Sequence, residues 1–283
     1  MSLGPGDRSL LVAEALEALR EAEVIVGYTT YLELIPDLTP GKKVLGSGMR
    51  KEIPRCRAAI EHARNGHRVA LVSSGDAGIY GMAGLVLDLC RDSGLRVCSV
   101  REKPPETCDL QFEVIPGVAA FNAAASLVGA PLMHDFAAVS LSDHLTPWEL
   151  IEKRLQAVAA ADFVTAVYNP RSKARPDLLE KACEILLEHR SPETPVAIVR
   201  RAKRQGEWVH LTTLDRIPFD EVDMQSILLI GNSRTYLWDR WMVTPRGYLD
   251  KYGEGAEGEG REAGSERLRA RRLDHCGPDA ESG

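Results

Sequence analysis

The chain has 283 residues, 44% apolar and 27% charged, with a formal net charge of −6, which is the make-up of a globular protein with room for one or two cores and not of a general nucleic-acid or membrane-surface binder. No apolar run approaches the roughly 18 residues of a membrane span, and the first residues carry no signal-peptide pattern, so a cytoplasmic chain is expected. Cys56, Cys90, Cys98, Cys108, Cys183 and Cys276 form no C-x-x-C pair, which argues against a zinc site or an iron–sulfur cluster and for reduced thiols.

In chain order, "LGPGD" (3–7) has the form of a strand-to-helix turn leading into a helix over 9–20. Only Met1 and Ser2 precede Leu3, so the strand that should feed this turn is expected to be absent or to lie upstream. Apolar, β-branched runs at 23–28, 68–74, 96–100 and 112–117 read as strands. A second set follows at 136–143, 162–170, 194–200 and 226–233. Continuous runs of this kind suit α/β sheets covered on both faces. Between them, "RKEIPRCRAAIEHARNG" (50–66) reads as a helix with Ile53, Cys56, Ile60 and Ala63 inward and Gly66 as its stop. "TPWE" (146–149) offers Thr146 as N-cap with a capping box from Glu149. In 175–190 the apolar face is Leu178, Leu179, Ala182, Ile185 and Leu186. The break at "VGAPLMHDF" (128–136) predicts two α/β domains with mainly parallel sheets, about 1–130 and about 136–248, with a ligand cleft between them. From Lys251 onward there is no Val, Ile, Phe, Trp or Met, and a disordered tail over 251–283 is expected.

Three glycine-rich turns follow strands in the first half: "LGPGD", "SSGDAGIYG" (73–81) and "VIPGVAAFNAA" (115–125). None has the Lys and Ser/Thr of a phosphate loop, and "GDAGIYG" misses the dinucleotide spacing. One such turn alone is ordinarily a tight connection. Three in one domain, at the carboxyl ends of strands, suit an uncharged or zwitterionic ligand held by backbone amides.

The blocks "GPGD", "SSGDAGIYGMAG", "PGVAAFNAAASLVGAPLMHDF" and "YNPRSKAR", in this order, resemble the tetrapyrrole methylase family of the cobalamin pathway. "SGMRKEIPRCRAAI", "SLSDHLTPWELIEKRL" and "VTPRGY" resemble the branch that methylates the macrocycle and contracts its ring. The family's opening strand has no counterpart before "GPGD", and 101–111 looks like an extra loop. The resemblance implies S-adenosylmethionine as cofactor, contacted at Pro5, at Gly75, Asp76 and Ile79, at Ala119 and Ala120, and at Tyr168 and Asn169. Asp76 would either accept from the cofactor or cap the next helix. No metal is implied. Methyl transfer needs chiefly alignment. An anionic tetrapyrrole substrate implies basic residues at the cleft: Arg50 and Arg171 foremost, then Lys51, Lys173, Arg175 and the 200–204 run, the last being as readily a solvated hairpin. Ring contraction needs acid/base groups, for which His134 and Asp143, with neighbours Asp135 and His144, are candidates near the seam. A homodimer is what the resemblance implies. A sister methylase acting at another carbon and a non-catalytic tetrapyrrole-binding protein are the alternatives.

Overall fold

The computed structural model describes residues 1–172 and 174–253. Lys173, Cys276 and the expected tail from 254 onward lie outside the described residues. Met1–Thr244 form one unit, and the short stretch from Pro245, which carries helix α8 (Tyr248–Tyr252), is a second.

The chain opens extended, makes a tight turn over Arg8–Leu10 and enters α1 (Ala13–Glu21), so the helix expected from Ser9 starts four residues late. Then come β1 (Val24–Tyr28), α2 (Thr29–Leu32), β2 (Lys43–Ser47), α3 (Glu52–Arg64), β3 (Val69–Val72) and α4 (Ala83–Asp92). The strands form a wholly parallel sheet in the order β2-β1-β3. Val24, Ile25 and Val26 of β1 are all buried, as a continuous apolar central strand requires. On α3, Cys56 faces the core as expected but Ile53 is 48% exposed. The inward place of that first turn is taken by Arg55, whose guanidinium donates to Ser47 Oγ (2.9 Å) and to Gly48 O (2.7 Å).

β4 (Val97–Ser99) and β5 (Leu110–Phe112) pair in parallel as a separate ribbon. Their register brings the loop between them back on itself and joins Cys98 to Cys108, Cα atoms 6.1 Å apart. This corrects the expectation of reduced thiols, while Cys56, Cys90 and Cys183 are free and buried. The strand expected over 112–117 ends at Phe112, and beyond it Ile115 O accepts from Ser2 N (3.1 Å). The extended segment Met1–Gly4 also bonds to the end of β3: Ser73 N donates to Met1 O (3.0 Å) and Leu3 N to Ser73 O (2.8 Å). The opening-strand position is therefore filled at its ligand end.

The second half runs α5 (Ala120–Val128), β6 (Gly129–Ala130), β7 (Phe136–Ser140), α6 (Trp148–Ala160), β8 (Val164–Tyr168), α7 (Leu178–Leu187), β9 (Pro195–Arg200), β10 (Trp208–Thr213), β11 (Ser226–Ile230), β12 (Tyr236–Trp238) and β13 (Trp241–Val243). Its main sheet has the order β10-β9-β11-β8-β7. Only β7 and β8 are parallel, and the other pairings are antiparallel, so "mainly parallel" holds for the first sheet and not for this one. Thr146 caps nothing: Pro147 holds the N-cap position of α6, without a side-chain cap bond. On α7 all five expected residues are buried. α6 and α7 cover one face of the sheet. The opposite face is covered by α5, whose Phe121, Ala124, Ala125 and Val128 pack on Ala166, Ala197, Val199, Ile227 and Leu229. In packing terms α5 belongs to the second sheet, not to the first domain ending near 130.

Candidate functional site

The three glycine turns meet. Ser2 Oγ donates to Ile115 O (2.7 Å) and accepts from Ala77 N (2.8 Å). Gly4 and Gly75 exchange both backbone bonds, Gly75 N to Gly4 O at 2.7 Å and Gly4 N to Gly75 O at 3.1 Å. Gly75 has φ +67°, a left-handed conformation that side-chain-bearing residues adopt at a cost. A Cβ on Gly117 would lie 2.5 Å from Ser2 Cβ and 2.7 Å from Gly75 O, so only glycine permits this approach. Asp76 locks the arrangement, Oδ1 accepting from Gly78 N (2.7 Å) and Oδ2 from Gly117 N (2.9 Å). α4 starts only at Ala83, so Asp76 is not its cap, and its carboxylate is engaged within the loops. The result is a surface of backbone groups with no basic residue of its own.

Beside it α5 begins. Its N-cap, Ala119, makes no side-chain cap bond, which leaves first-turn N–H groups open, and Phe121 N donates to Tyr168 Oη (3.2 Å). Burial pushes the Tyr168 phenol up to about 12, so it stays neutral and serves as a hydrogen-bonding group, not a base. Asn169, at φ +51°, donates from Nδ2 to Ser140 Oγ (2.9 Å), joining the ends of β7 and β8. Pro5 and Ala119 are buried, and Ile79 is partly exposed at the loop rim. The structure thus brings Pro5, Gly75, Asp76, Ala119, Ala120 and Tyr168 into one neighbourhood, with Asn169 following Tyr168 directly.

Two further residues join this neighbourhood, one unforeseen in the sequence and one foreseen only as part of the 200–204 run. Tyr80, at φ +52° in the second glycine loop, crosses to the other sheet: its hydroxyl donates to Ala138 O (3.0 Å) and its ring centroid is 4.9 Å from that of Tyr168. With Phe121 and Phe136, whose rings are 5.3 Å apart, these side chains line an aromatic wall. An exposed aromatic inside a glycine-rich loop was the available signal. The second is Arg204. The 200–204 run does form a hairpin turn, but Arg204 points inward, donating from Nε to Pro5 O and from Nη2 to Ser74 Oγ.

Arg171 is held by its own surroundings, Nε donating to Pro176 O (3.1 Å) and Nη1 to Phe219 O and to Asp220 Oδ1 (2.9 Å). Arg50 is exposed in the loop after β2, φ +62°, its N–H bonded to Glu52 Oε1 (3.2 Å). His134 and Asp143 are not brought together: one precedes β7 and the other follows it, and the strand's four steps span about 13 Å. His134 Nδ1 accepts from Asp135 N (2.8 Å) as a turn residue, whereas Asp143 pairs with Arg175 (3.2 Å) near the Ser140–Asn169 contact. Among the described residues no group of His, Cys, Asp and Glu could hold a metal ion, and no helix is long and apolar enough to cross a membrane.

The family model for tetrapyrrole (corrin/porphyrin) methylases matches residues 1–218. The chain belongs to the tetrapyrrole methylase family. Among curated members it is 50% identical, over 88% of its own length and 98% of the other's, to the "Probable cobalt-factor III C(17)-methyltransferase" of Salmonella typhimurium. It is 36% identical to the precorrin-3B C(17)-methyltransferase of a Sinorhizobium species, over 87% of its own length and 94% of the other's. The solved structure of the methyltransferase CobJ superposes with a TM-score of 0.78 at 36% identity, covering 86% of this chain and 97% of that one. A uroporphyrin-III C-methyl transferase from Thermus thermophilus, solved with S-adenyl homocysteine, gives a TM-score of 0.59 at 25% identity, covering 82% and 95%. The tetrapyrrole methylase fold is thus the α/β pair of sheets described above.

Proposed function

We propose that this chain is the S-adenosylmethionine-dependent enzyme that methylates precorrin-3B, or its cobalt-bearing counterpart, at C-17 and contracts the ring in cobalamin biosynthesis. The observation that carries the reading is the meeting of three backbone-lined glycine loops with the open start of α5 and with Tyr168. Such a surface offers backbone amides to a ligand's polar groups, and it lacks the Lys and Ser/Thr of a phosphate loop. When bound, S-adenosylmethionine would supply a methyl group activated on a sulfonium, with a neutral thioether as the leaving group. For that step the residues need to align the reactants, exclude water and keep nucleophiles away. Gly75, Gly117 and Asp76 fix the loops, Ala119 and Ala120 leave space, and Tyr168 and Asn169 close the second-sheet side. The aromatic wall of Tyr80, Tyr168, Phe121 and Phe136 offers a flat macrocycle faces to lie against.

Of the acid/base candidates for contraction, Asp143 is retained beside the cleft end of β7, and His134 is not. A homodimer and a cytoplasmic location complete the reading. Incubation with S-adenosylmethionine and either metal-free or cobalt-bearing substrate, followed by product mass and carbon position, tests it. The expected product is methylated at C-17. A methyl on another carbon would make the chain a sister methylase, and no S-adenosylhomocysteine release would leave a binding protein.

A further inference from the structure

The turn between β9 and β10 carries three cations over 201–204, and two of them have local matches. Arg201 Nε donates to Gln225 Oε1 (2.5 Å). Lys203 bears electrostatically on Asp7, and its backbone N–H donates to Glu207 Oε2 (2.7 Å). Arg204 differs. Its guanidinium is partly buried between the first two glycine loops, and among the described residues it is bonded only to a carbonyl, Pro5 O, and a hydroxyl, Ser74 Oγ. The ionisable groups that bear on it are Tyr31 and Arg201, neither a carboxylate. A guanidinium in this position has lost water without gaining an anion, an arrangement that costs free energy until a carboxylate completes it. Its planar fork suits a bidentate grip.

We propose that Arg204 is the carboxylate receptor of this site, pairing with a ligand carboxylate and giving up its bond to Ser74 when it does so. The inference rests on the methyltransferase reading. Two ligands there carry carboxylates, the amino-acid end of the cofactor and the acid side chains of the macrocycle. Calorimetry on the full chain separates them with three probes: S-adenosylhomocysteine, 5′-methylthioadenosine, which lacks the carboxylate, and the polycarboxylate uroporphyrin.

Arg204→Gln should weaken either S-adenosylhomocysteine or uroporphyrin about 10- to 100-fold, the usual scale for one charge-assisted contact, and leave 5′-methylthioadenosine within about twofold. The probe that loses affinity identifies the carboxylate. Arg204→Lys keeps the charge without the fork, should fall between, and serves if the Gln variant does not fold. Ser74→Ala removes the competing acceptor and should not weaken binding of the sensitive probe. Equal loss of 5′-methylthioadenosine, no loss with any probe, or a Ser74→Ala loss matching that of Arg204→Gln would overturn the inference, the last by reducing Arg204 to a tie between loops. Wild-type chain that binds neither S-adenosylhomocysteine nor uroporphyrin would instead overturn the methyltransferase reading beneath it.

Discussion

Gly75 bears on ligand binding and Met1 on folding stability. At Gly75 an added Cβ would meet Ala120 N at 3.5 Å, ordinary contact, so Gly75→Ala carries mainly the cost of the positive φ. Gly75→Val adds branches in the space facing Ala119 and Ala120. Overpacking of this kind costs about 1–3 kcal/mol, so the Val variant is expected to weaken S-adenosylhomocysteine roughly 10- to 100-fold by calorimetry. Unchanged affinity would take this loop out of the site. The Met1 ammonium donates to Leu71 O (2.8 Å), and burial lowers its pKa from 8.0 to about 6, Asp76 opposing the shift in part. Between pH 6 and 8 the unfolded chain therefore binds a proton that the folded chain refuses, and stability rises with pH across that window, by on the order of 2 kcal/mol. Denaturant melts at pH 6 and 8 should show the rise, and the N-acetylated chain should lose that part of it. An identical pH dependence in both forms would exclude the ammonium as its source.

Among the elements, β7 separates what the sequence placed together. His134 and Asp143 lie nine residues apart around one seam, and the strand expected over 136–143 already runs between them. The expected outcome is that His134→Ala leaves methylation and contraction near wild type, whereas Asp143→Asn slows contraction about a hundredfold, the scale for losing an acid/base group, with S-adenosylhomocysteine release within roughly tenfold. The absorption spectrum of the product distinguishes contracted from uncontracted rings. Contraction lost in His134→Ala instead would reverse the assignment. Elements buried on both sides, such as β1, β8, β9, β11 and the face of α7, were legible because their apolar runs are continuous. β2, β10, β12 and β13 were not, since edge strands and short hairpins mix polar and apolar residues without a clear period. The glycine loops were legible as a motif because glycine marks backbone that must bend or come close. Tyr80 was not, and Arg204 was legible only as one cation of the 200–204 run, because each acts on a partner far along the chain, Arg204 on Pro5 across 199 residues, and only the fold decides such contacts.

For the molecule as a whole, α5 couples the two halves: its first turn faces the glycine loops and its body seals the second sheet. A helix of Ala, Phe and Leu carries no address in sequence, so the break after it looked like the domain boundary. If its packing governs, a C-terminal fragment starting near 118 should be markedly more soluble and cooperative in thermal melts than one starting near 131, which bares Ala166, Ala197, Val199, Ile227 and Leu229. Equal behaviour of the two would mean that α5 adds little to that core.

The clasp of Ser2, Gly4, Gly75 and Gly117 also shapes how such a protein can diversify. A surface built from main chain offers selection almost no side chain to vary, and a larger residue at Gly117 would disturb the contacts with both Ser2 and Gly75 at once. The groups open to variation stand around it, at Tyr80, Ser140, Asn169 and along the 201–207 turn. Descendants of this architecture can therefore exchange one acceptor for another while the donor-holding loops stay fixed, and a directed-evolution library gains most by randomising that rim and leaving the clasp untouched.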